Sequence, residues 1–437
     1  MGVEVSLDHR SGTINHPTGS SSKQADIRQG MCRLRGEVWQ DVRIVCVGGG
    51  PAGLYFASLM KLRDMRHDVT VVERNPAGVT YGWGVVFWDG LLDNLYRCDP
   101  TSAKEIRDSA TRWHDQEVHV RGARVHLGGY GFSMGRKRLL DILVQRATDL
   151  GVDVQFQRPF TDLSELPAAD LIVACDGANS QIRQRYASHF QTRVDVGRNK
   201  YIWLGTPKTF DAFTFAFEET VAGWIWFHGY RFDSGTSTCI VECAPQTWDG
   251  LGFDVLAPDQ STALLEGIFK RHLDGHPLIS RTRALGKTPW RSFARVTNQS
   301  WFRDNVVLMG DAAHTTHFSI GSGTKLAIED AIGLAESLQG HDDLAAALRA
   351  YEHERRSALL TLQKEALDSA EWFETVDRRV DQDPVQFAFS LWQRRHGETP
   401  PKKWRYYLHL ATQRPALRRM RQAASSGRRW LRARRRE

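Results

Sequence analysis

Val42-Arg43-Ile44-Val45-Cys46-Val47, then Gly48-Gly49-Gly50-Pro51-Ala52-Gly53, then Leu54 to Leu62 and Val69-Thr70-Val71-Val72-Glu73 is the stretch that decides how the chain reads. It is an apolar strand, a glycine turn, a helix, and a second strand ending in an acid. Gly48 permits the tight turn. Gly50 lets backbone approach a pyrophosphate with no side chain between them, and Gly53 lets the helix pack close to the strand. The helix N-terminus points free N–H groups and a partial positive charge at that anion. Glu73 follows Gly53 at the distance where a carboxylate accepts bonds from ribose hydroxyls. A lone G-x-G-x-x-G is weak. Here the strand before, the helix after and the spaced acid make a dinucleotide site the expectation, with Gly48, Gly50, Ala52, Gly53, Glu73 and the adjacent Arg74 as its residues.

The 437 residues allow two or three lobes with a large core. The six cysteines form no Cys-x-x-Cys pair. Cys46 and Cys175 lie in apolar runs, so buried thiols are expected rather than a disulfide framework. The uncharged run from Ile44 to Met60 is interrupted by Gly48-Gly49-Gly50-Pro51, so it reads as the nucleotide turn and not as a membrane span. Residues 1–40 lack the apolar core of a signal peptide, carry Gly19-Ser20-Ser21-Ser22, and are expected to be disordered. A cytoplasmic protein is expected.

The net charge of +7 has one source. Residues 418–437 hold nine arginines and one acid, and removing them from 58 basic and 51 acidic residues leaves 49 and 50. The body is near neutral, which excludes a basic nucleic-acid binder. The tail reads as a solvated end, and both residues 1–40 and 420–437 are expected to be dispensable.

After the first unit come Tyr81-Gly82-Trp83-Gly84-Val85-Val86, either backbone lying against a flat ligand or a tight turn around a packed Trp. Leu91, Leu92 and Leu95 begin a short helix, and Val118, Val120 and Val125 lie in strand-like patches. Arg136, Leu139 and Leu143 share a helical face. A cation in a first helical turn opposes the helix dipole, and a bound anion would explain it as well as a solvated face does. Val152 to Phe156 alternates like a strand. Leu171 to Cys175 is a buried strand followed by Asp176-Gly177, a sharp turn at a carboxyl edge where α/β ligands bind.

From Tyr201 to Glu242 the period changes to two. Phe213, Phe215 and Phe217 alternate, as do Trp224, Trp226, His228 and Tyr230, so antiparallel strands with one aromatic face are expected. Such a face packs on a second layer or lines a pocket. Val306 to Met309 is another buried strand, followed by Gly310-Asp311, then Gly321-Ser322-Gly323 and a helix through Leu334. Leu344 to Leu417 reads as helical, broken at Pro384, Pro400, Pro401 and Pro415.

Three signals in order, Gly48-x-Gly50-x-x-Gly53 with Glu73, Asp176-Gly177 and Gly310-Asp311, resemble the single-component FAD aromatic hydroxylases, the p-hydroxybenzoate hydroxylase-like family, over about residues 41–380. Stretches including Gly197 to Trp203, His228-Gly229-Tyr230, Ser237 to Cys243, His317 to Gly321 and Trp372 to Val376 are similar to one branch. That branch holds salicylyl-CoA 5-hydroxylase, the hydroxylase half of anthraniloyl-CoA monooxygenase and the tryptophan-ring hydroxylase of violacein biosynthesis. The sequence departs from the wider family at Phe318, where proline is usual, and at Lys325, where asparagine is usual. Both positions border the flavin in that family. The chain as given ends short of the anthraniloyl-CoA enzyme's second, reductase half.

The resemblance implies an α/β fold: a Rossmann-like FAD-binding domain (41–95, 135–185, 302–345), a mainly antiparallel β-sheet substrate domain (96–134, 186–301) and C-terminal helices (346–417), between the extension 1–40 and the basic tail 418–437. It implies FAD on the glycine turn and Glu73, with Arg136 against the FAD and Asp311 on its ribityl and pyrophosphate part. Asp176 would serve FAD and the nicotinamide, and Gly321 and Gly323 belong to the flavin loop. The implied chemistry is FAD-dependent and consumes NADH or NADPH and O₂. A flavin hydroperoxide hydroxylates an electron-rich ring, of which a CoA thioester of salicylyl type is one candidate and an indole or tryptophan-derived intermediate another. His228 and Tyr230 are the expected catalytic residues, His228 to bond or deprotonate the ring substituent, with a core histidine as the alternative. No metal is expected, since the sixteen histidines show no ligand spacing such as HExxH. A flavin halogenase (Trp224-Ile225-Trp226 is similar to its WxW, although Phe227-His228-Gly229 follows), a reductase and a non-catalytic flavoprotein are the other readings.

Overall fold

The computed structural model describes residues 41–80, 82–280, 290–396, 403–418 and 420. The expectations for residues 1–40, Tyr81, Pro400, Pro401 and the tail beyond Met420 lie outside these residues.

Strand β1 (Arg43–Val47) leads through the glycine turn into α1 (Pro51–Arg63) and β2 (Asp68–Val72). Then come β3 (Gly84–Phe87), α2 (Asp89–Cys98), α3 (Pro100–Ser109), β4 (Thr111–Trp113), β5 (Gln116–Val120), β6 (Ala123–His126), β7 (Gly131–Gly135) and α4 (Arg136–Asp149). Strands β8 (Asp153–Gln155) and β9 (Leu171–Ala174) precede two short helices, α5 (Gln181–Arg185) and α6 (Ala187–Phe190). The long strands β10 (Arg193–Thr206), β11 (Phe213–Thr220), β12 (Gly223–Arg231) and β13 (Ser237–Cys243) follow. Helices α7 (Pro245–Gly250), α8 (Pro258–Ile268) and α9 (Lys270–Leu273) lead to β14 (Arg291–Thr297), β15 (Phe302–Arg303) and β16 (Val306–Leu308). The chain closes with α10 (Gly323–Gly340), α11 (Leu344–Glu374), α12 (Pro384–Gln393) and α13 (Lys403–Ala411).

The expected α/β class holds. A six-stranded sheet has the order β15-β16-β9-β1-β2-β8, parallel throughout except for the β15–β16 hairpin. Its central strands are apolar runs because both faces are covered. Helix α1 starts with Pro51 at its first position, where a missing N–H costs nothing, and is buried from Pro51 to Lys61. In the register of this sheet Val47 lies beside Val72 and Ala174, and Ala174 beside Leu308. Four strands therefore end together, and the turns at Gly48, Glu73, Asp176 and Gly310 emerge on one carboxyl edge.

The seven-stranded sheet, β14-β10-β13-β12-β11-β5-β6, is mainly antiparallel, with β5 and β11 paired in parallel. Alternation divides β12. Ile225 and Phe227 face a core with Leu204, Val241, Phe253 and Phe269, while Trp226 joins Phe215, Phe217 and Val118 beneath Trp372, Phe373 and Phe387 of α11 and α12. Strands β4 and β7, expected in this sheet, instead form a three-stranded antiparallel sheet with β3. Their pairing partners are distant in sequence, so no local pattern marks the switch.

A buried ionic knot fixes the Gly310 turn. Asp330 of α10 accepts from the Gly310 N–H (3.0 Å), from His314 Nε2 (2.7 Å) and from Arg355 Nε (2.8 Å). Asp330 is fully enclosed and Arg355 is 8% exposed. Asp330→Ala leaves that guanidinium only the looser contact to Glu329 (3.6 Å) and takes the acceptor from the Gly310 N–H and His314, and a loss of about 3–5 kcal/mol is expected in urea unfolding, as for other broken buried pairs.

Candidate active site

A cavity of 460 Å³ runs from the carboxyl edge of the six-stranded sheet to the aromatic face of the seven-stranded sheet. Gly50, Ala52, Arg136, Asp311, Gly321 and Gly323 line it at the sheet edge, and His228 and Tyr230 line it from β12. Gly48, Gly53, Glu73, Arg74, Asp176 and Trp226 are not in its wall.

The glycines of the turn do different work. Gly48 has φ +119°, and a Cβ there would lie 2.3 Å from the Cys175 carbonyl oxygen. A Cβ on Gly53 would lie 2.3 Å from the Gly48 carbonyl oxygen. Both are packing requirements. A Cβ on Gly50 meets nothing within 4 Å, because it points into the cavity at the start of α1. That helix has no side-chain cap and no acid in its first turn, so its N–H groups are available to an anion. This open cradle fits the pyrophosphate of FAD. Glu73 caps the turn beside it, accepting from the Gly49 N–H (2.8 Å) and the Asn75 N–H (2.8 Å). Arg74 is exposed.

Arg136 opens α4 and faces Asp311 without pairing to it. Its Nε donates to Thr80 Oγ1 (3.1 Å). Enclosure lowers the Arg136 pKa and raises that of Asp311, and each charge opposes the other's shift. Asp311 is accessible on its cavity side, so its upward shift is that of a pocket wall and not of a sealed core. At the far end, Gly321 has φ +65° and Gly321 to Thr324 bring the start of α10 to the cavity.

Four expectations change. The Asp176 carboxylate accepts from the Gln181 N–H (2.7 Å) at the start of α5, and the chain at Gly177, Ala178 and Asn179 lines the cavity in its place. Lys325 turns to Glu329 (2.6 Å) and leaves the wall, whereas Phe318 stays in it. Trp226 is covered by α11 and donates to Glu242 Oε2 (3.2 Å), so the β12 face meets the cavity only from His228 onward. The Tyr230 hydroxyl donates to the Gly84 carbonyl (2.8 Å) and burial raises its pKa, so at neutral pH it is a wall group and not a base. The stretch after Tyr81 does both things its sequence allowed: Trp83 is buried against Gly205, and Gly84, Val85 and Val86 line the cavity.

His228 is 2% exposed, enclosed by Phe215, Phe318 and Phe373. Its Nε2 lies 3.4 Å from Glu242 Oε2, close but not aligned as a hydrogen bond. Glu242 also accepts from Asn199 Nδ2 (2.8 Å). Burial lowers the His228 pKa, against the pull of Glu242. Burial also raises the Glu242 carboxyl, but the adjacent His228 ring and the Asn199 amide outweigh it and leave a carboxylate. Sequence reading missed Glu242 as a site residue, although a charge within the apolar alternation of Ser237 to Cys243 was a signal. It also missed Arg394 and Arg395, which line the cavity from a 3₁₀ turn after α12.

Elsewhere, Asp115, Glu117 and His126 bring three ligand-type atoms within 4.8 Å of one another. Arg124 already holds both Glu117 oxygens (2.6 and 2.7 Å), which makes this an ion-pair network. Among the described residues no helix is long and apolar enough to cross a membrane.

Comparison with known proteins agrees with this geometry. Residues 41–365 match the family model described as an FAD binding domain. Salicyloyl-CoA 5-hydroxylase of a Streptomyces species is 39% identical over 360 residues, covering 80% of this chain and 69% of that protein. Protodeoxyviolaceinate monooxygenase of Chromobacterium violaceum is 30% identical over 386 residues, covering 85% and 100%. The tetrameric form of 2-methyl-3-hydroxypyridine-5-carboxylic acid oxygenase superimposes with a TM-score of 0.64 at 20% identity, covering 80% of this chain and 95% of that one, a likeness of fold.

Proposed function

The chain belongs to the FAD binding domain family and is an FAD-dependent aromatic monooxygenase; from that premise we propose that it hydroxylates an electron-rich benzoyl ring carried as a CoA thioester, with NADH or NADPH as hydride donor and O₂ as oxygen source. The observation that carries this reading is the continuity of the cavity. One space joins the open cradle at Gly50, Arg136 and Asp311 to the aromatic wall at His228. The salicyloyl-CoA relative supports the thioester, and the exposed Arg291 on the cavity wall is suited to a ligand with an anionic extension.

Bound FAD supplies the redox chemistry: it takes up hydride and activates O₂ for transfer of one oxygen atom to the ring. The FAD-binding domain (41–95, 135–185 and 302–345) would hold it, with Gly50 and the start of α1 for the pyrophosphate and Asp311, Arg136 and the Gly321 loop along the rest of the cavity. The chain's other work is to position the ring and exclude water. Phe215, Phe318 and Tyr201 form apolar wall, and His228 receives the proton of a ring hydroxyl or amine, which enriches the ring for attack. Glu242 behind it favours the tautomer with the proton on Nε2, leaving Nδ1 to accept.

The test is nicotinamide oxidation and product mass with a panel of salicyloyl-CoA, anthraniloyl-CoA and indole-type rings. Oxidation stimulated by a benzoyl thioester, with a product heavier by one oxygen, is expected. Stimulation by an indole alone would move the substrate class to that of the violacein-pathway relative. No stimulation by any ring would remove the hydroxylase reading.

A further inference from the structure

Arg394 is a buried cation that the binding of a dinucleotide does not require. It is 7% exposed, and its Nε donates to Ser369 Oγ (3.1 Å), Nη1 to the Leu391 carbonyl (2.8 Å) and Nη2 to the Ser319 carbonyl (2.9 Å). All three acceptors are neutral. Its other contacts are ring faces, with the guanidinium carbon 5.2 Å from the Phe215 centroid and 5.8 Å from that of Phe373. Among the described residues no carboxylate pairs with it, and the one charged neighbour that acts on it is Arg395, a second cation. A buried charge held only by neutral oxygens is under-compensated. A guanidinium carries five N–H donors, so among the described residues part of its donor capacity is unspent.

His228 sits on the same two rings, its centroid 5.1 Å from Phe215 and 4.9 Å from Phe373. Both side chains border the cavity. An imidazole and an uncompensated cation thus stand together on the same pair of aromatic rings in the cavity wall. Burial moves Arg394 down to about 9, which leaves it charged at neutral pH, and its charge opposes protonation of His228. The remaining ionisable neighbours divide, with Glu242 pulling the other way. Arg395 adds positive potential, burial holds His317 neutral with a pKa of about 4, and the negative Glu242 is engaged by Asn199 and Trp226.

Resting on the hydroxylase reading above, we propose that Arg394 is the anion subsite of the substrate cavity and holds the oxygen of a ring hydroxyl as His228 takes its proton. The O–H bond breaks, an N–H bond forms at the imidazole, and the electron pair stays on an oxygen facing the guanidinium. The class of ligand selected is a phenol, and a ring substituent that cannot become an anion gains nothing from this site.

The test uses oxidised holoenzyme without nicotinamide, so no turnover occurs. Salicyloyl-CoA is titrated with pH and its phenolate read in a difference spectrum, with 2-methoxybenzoyl-CoA as the ligand that has no proton to lose. On the wild type the bound phenol is expected to ionise about 1–3 pH units below its value in water, the effect of a cation within a few ångströms. R394Q should lose most of that shift while the methoxy ligand binds both proteins alike, and R394K should restore part of it. A phenol with an unshifted pKa on the wild type overturns the proposal with no variant needed, and so does an equal shift on R394Q. Hydroxylation with an unshifted phenol condemns the subsite alone, whereas a shifted phenol with no hydroxylated product condemns the reading of the reaction and leaves the subsite standing.

Discussion

Gly50→Leu is expected to give a folded protein that carries almost no FAD. The position is unlike the two other glycines of its motif. Gly48 and Gly53 have backbone atoms 2.3 Å from where a Cβ would sit, so alanine at either strains the β1–α1 junction, and overpacking of this kind costs about 1–3 kcal/mol. At Gly50 nothing stands within 4 Å, and the added side chain enters the space at the α1 N-terminus. It therefore leaves the protein's own packing intact and excludes the phosphates. Flavin released from the purified variant on denaturation should fall to a few percent of the wild-type amount or lower, on the order of the tenfold-per-1.4 kcal/mol scale for losing several charge-assisted hydrogen bonds. Circular dichroism should be unchanged. A variant as yellow as wild type would remove the pyrophosphate from this turn. Asp311→Ala should weaken FAD by a smaller factor, because the α1 N-terminus remains.

His228→Gln should lower the rate of ring hydroxylation by a factor of about 10²–10⁴, the usual worth of a positioned general base, with FAD retained. Glutamine keeps a polar atom beside Glu242 but cannot carry the proton away. Nicotinamide should still be oxidised, with more of it consumed per product and the difference appearing as hydrogen peroxide. The acid limb of kcat/KM in the wild type follows from the direction of the His228 shift. Burial favours the neutral ring, so the base form survives below the ordinary imidazole value of about 6.5, and activity is lost as pH falls past that lowered value. The variant should lack that limb. Unchanged rate and coupling in a stable His228→Gln protein would remove His228 from the mechanism.

What the sequence made legible is what local chemistry demands. A buried parallel strand must be an apolar run, and its exit at a ligand edge needs a turn, so Gly48, Asp176-Gly177 and Gly310-Asp311 announced three of the four turns that the six-stranded sheet gathers. The alternation of β12 was equally plain, and His228 and Tyr230 do reach the cavity. How far along that strand the cavity extends was not legible. The limit is set by α11, whose Phe373 stacks on Trp226 from 147 positions away. Asp176 looked like a site residue by position and Lys325 stands where the family borders the flavin; one Asp176 oxygen accepts from the Gln181 N–H, and Lys325 pairs with Glu329. Arg394 gave no signal, because Gln393-Arg394-Arg395-His396 reads as a solvated helix end until the fold folds it under Phe215. Long-range packing decided the reach of the β12 face and the place of Arg394, and no period or motif in one stretch records it, whereas Asp176 and Lys325 are turned aside by partners four or five positions along the chain.

Incubation with ¹⁸O₂, NADH or NADPH, and the ring that best stimulates oxidation tests the central claim most directly, by the mass of the product. One oxygen-18 atom on the aromatic ring, in amounts that follow the protein's FAD content, is the predicted result. A product without the label, or nicotinamide oxidised with the label found in hydrogen peroxide alone for every ring tried, would contradict it.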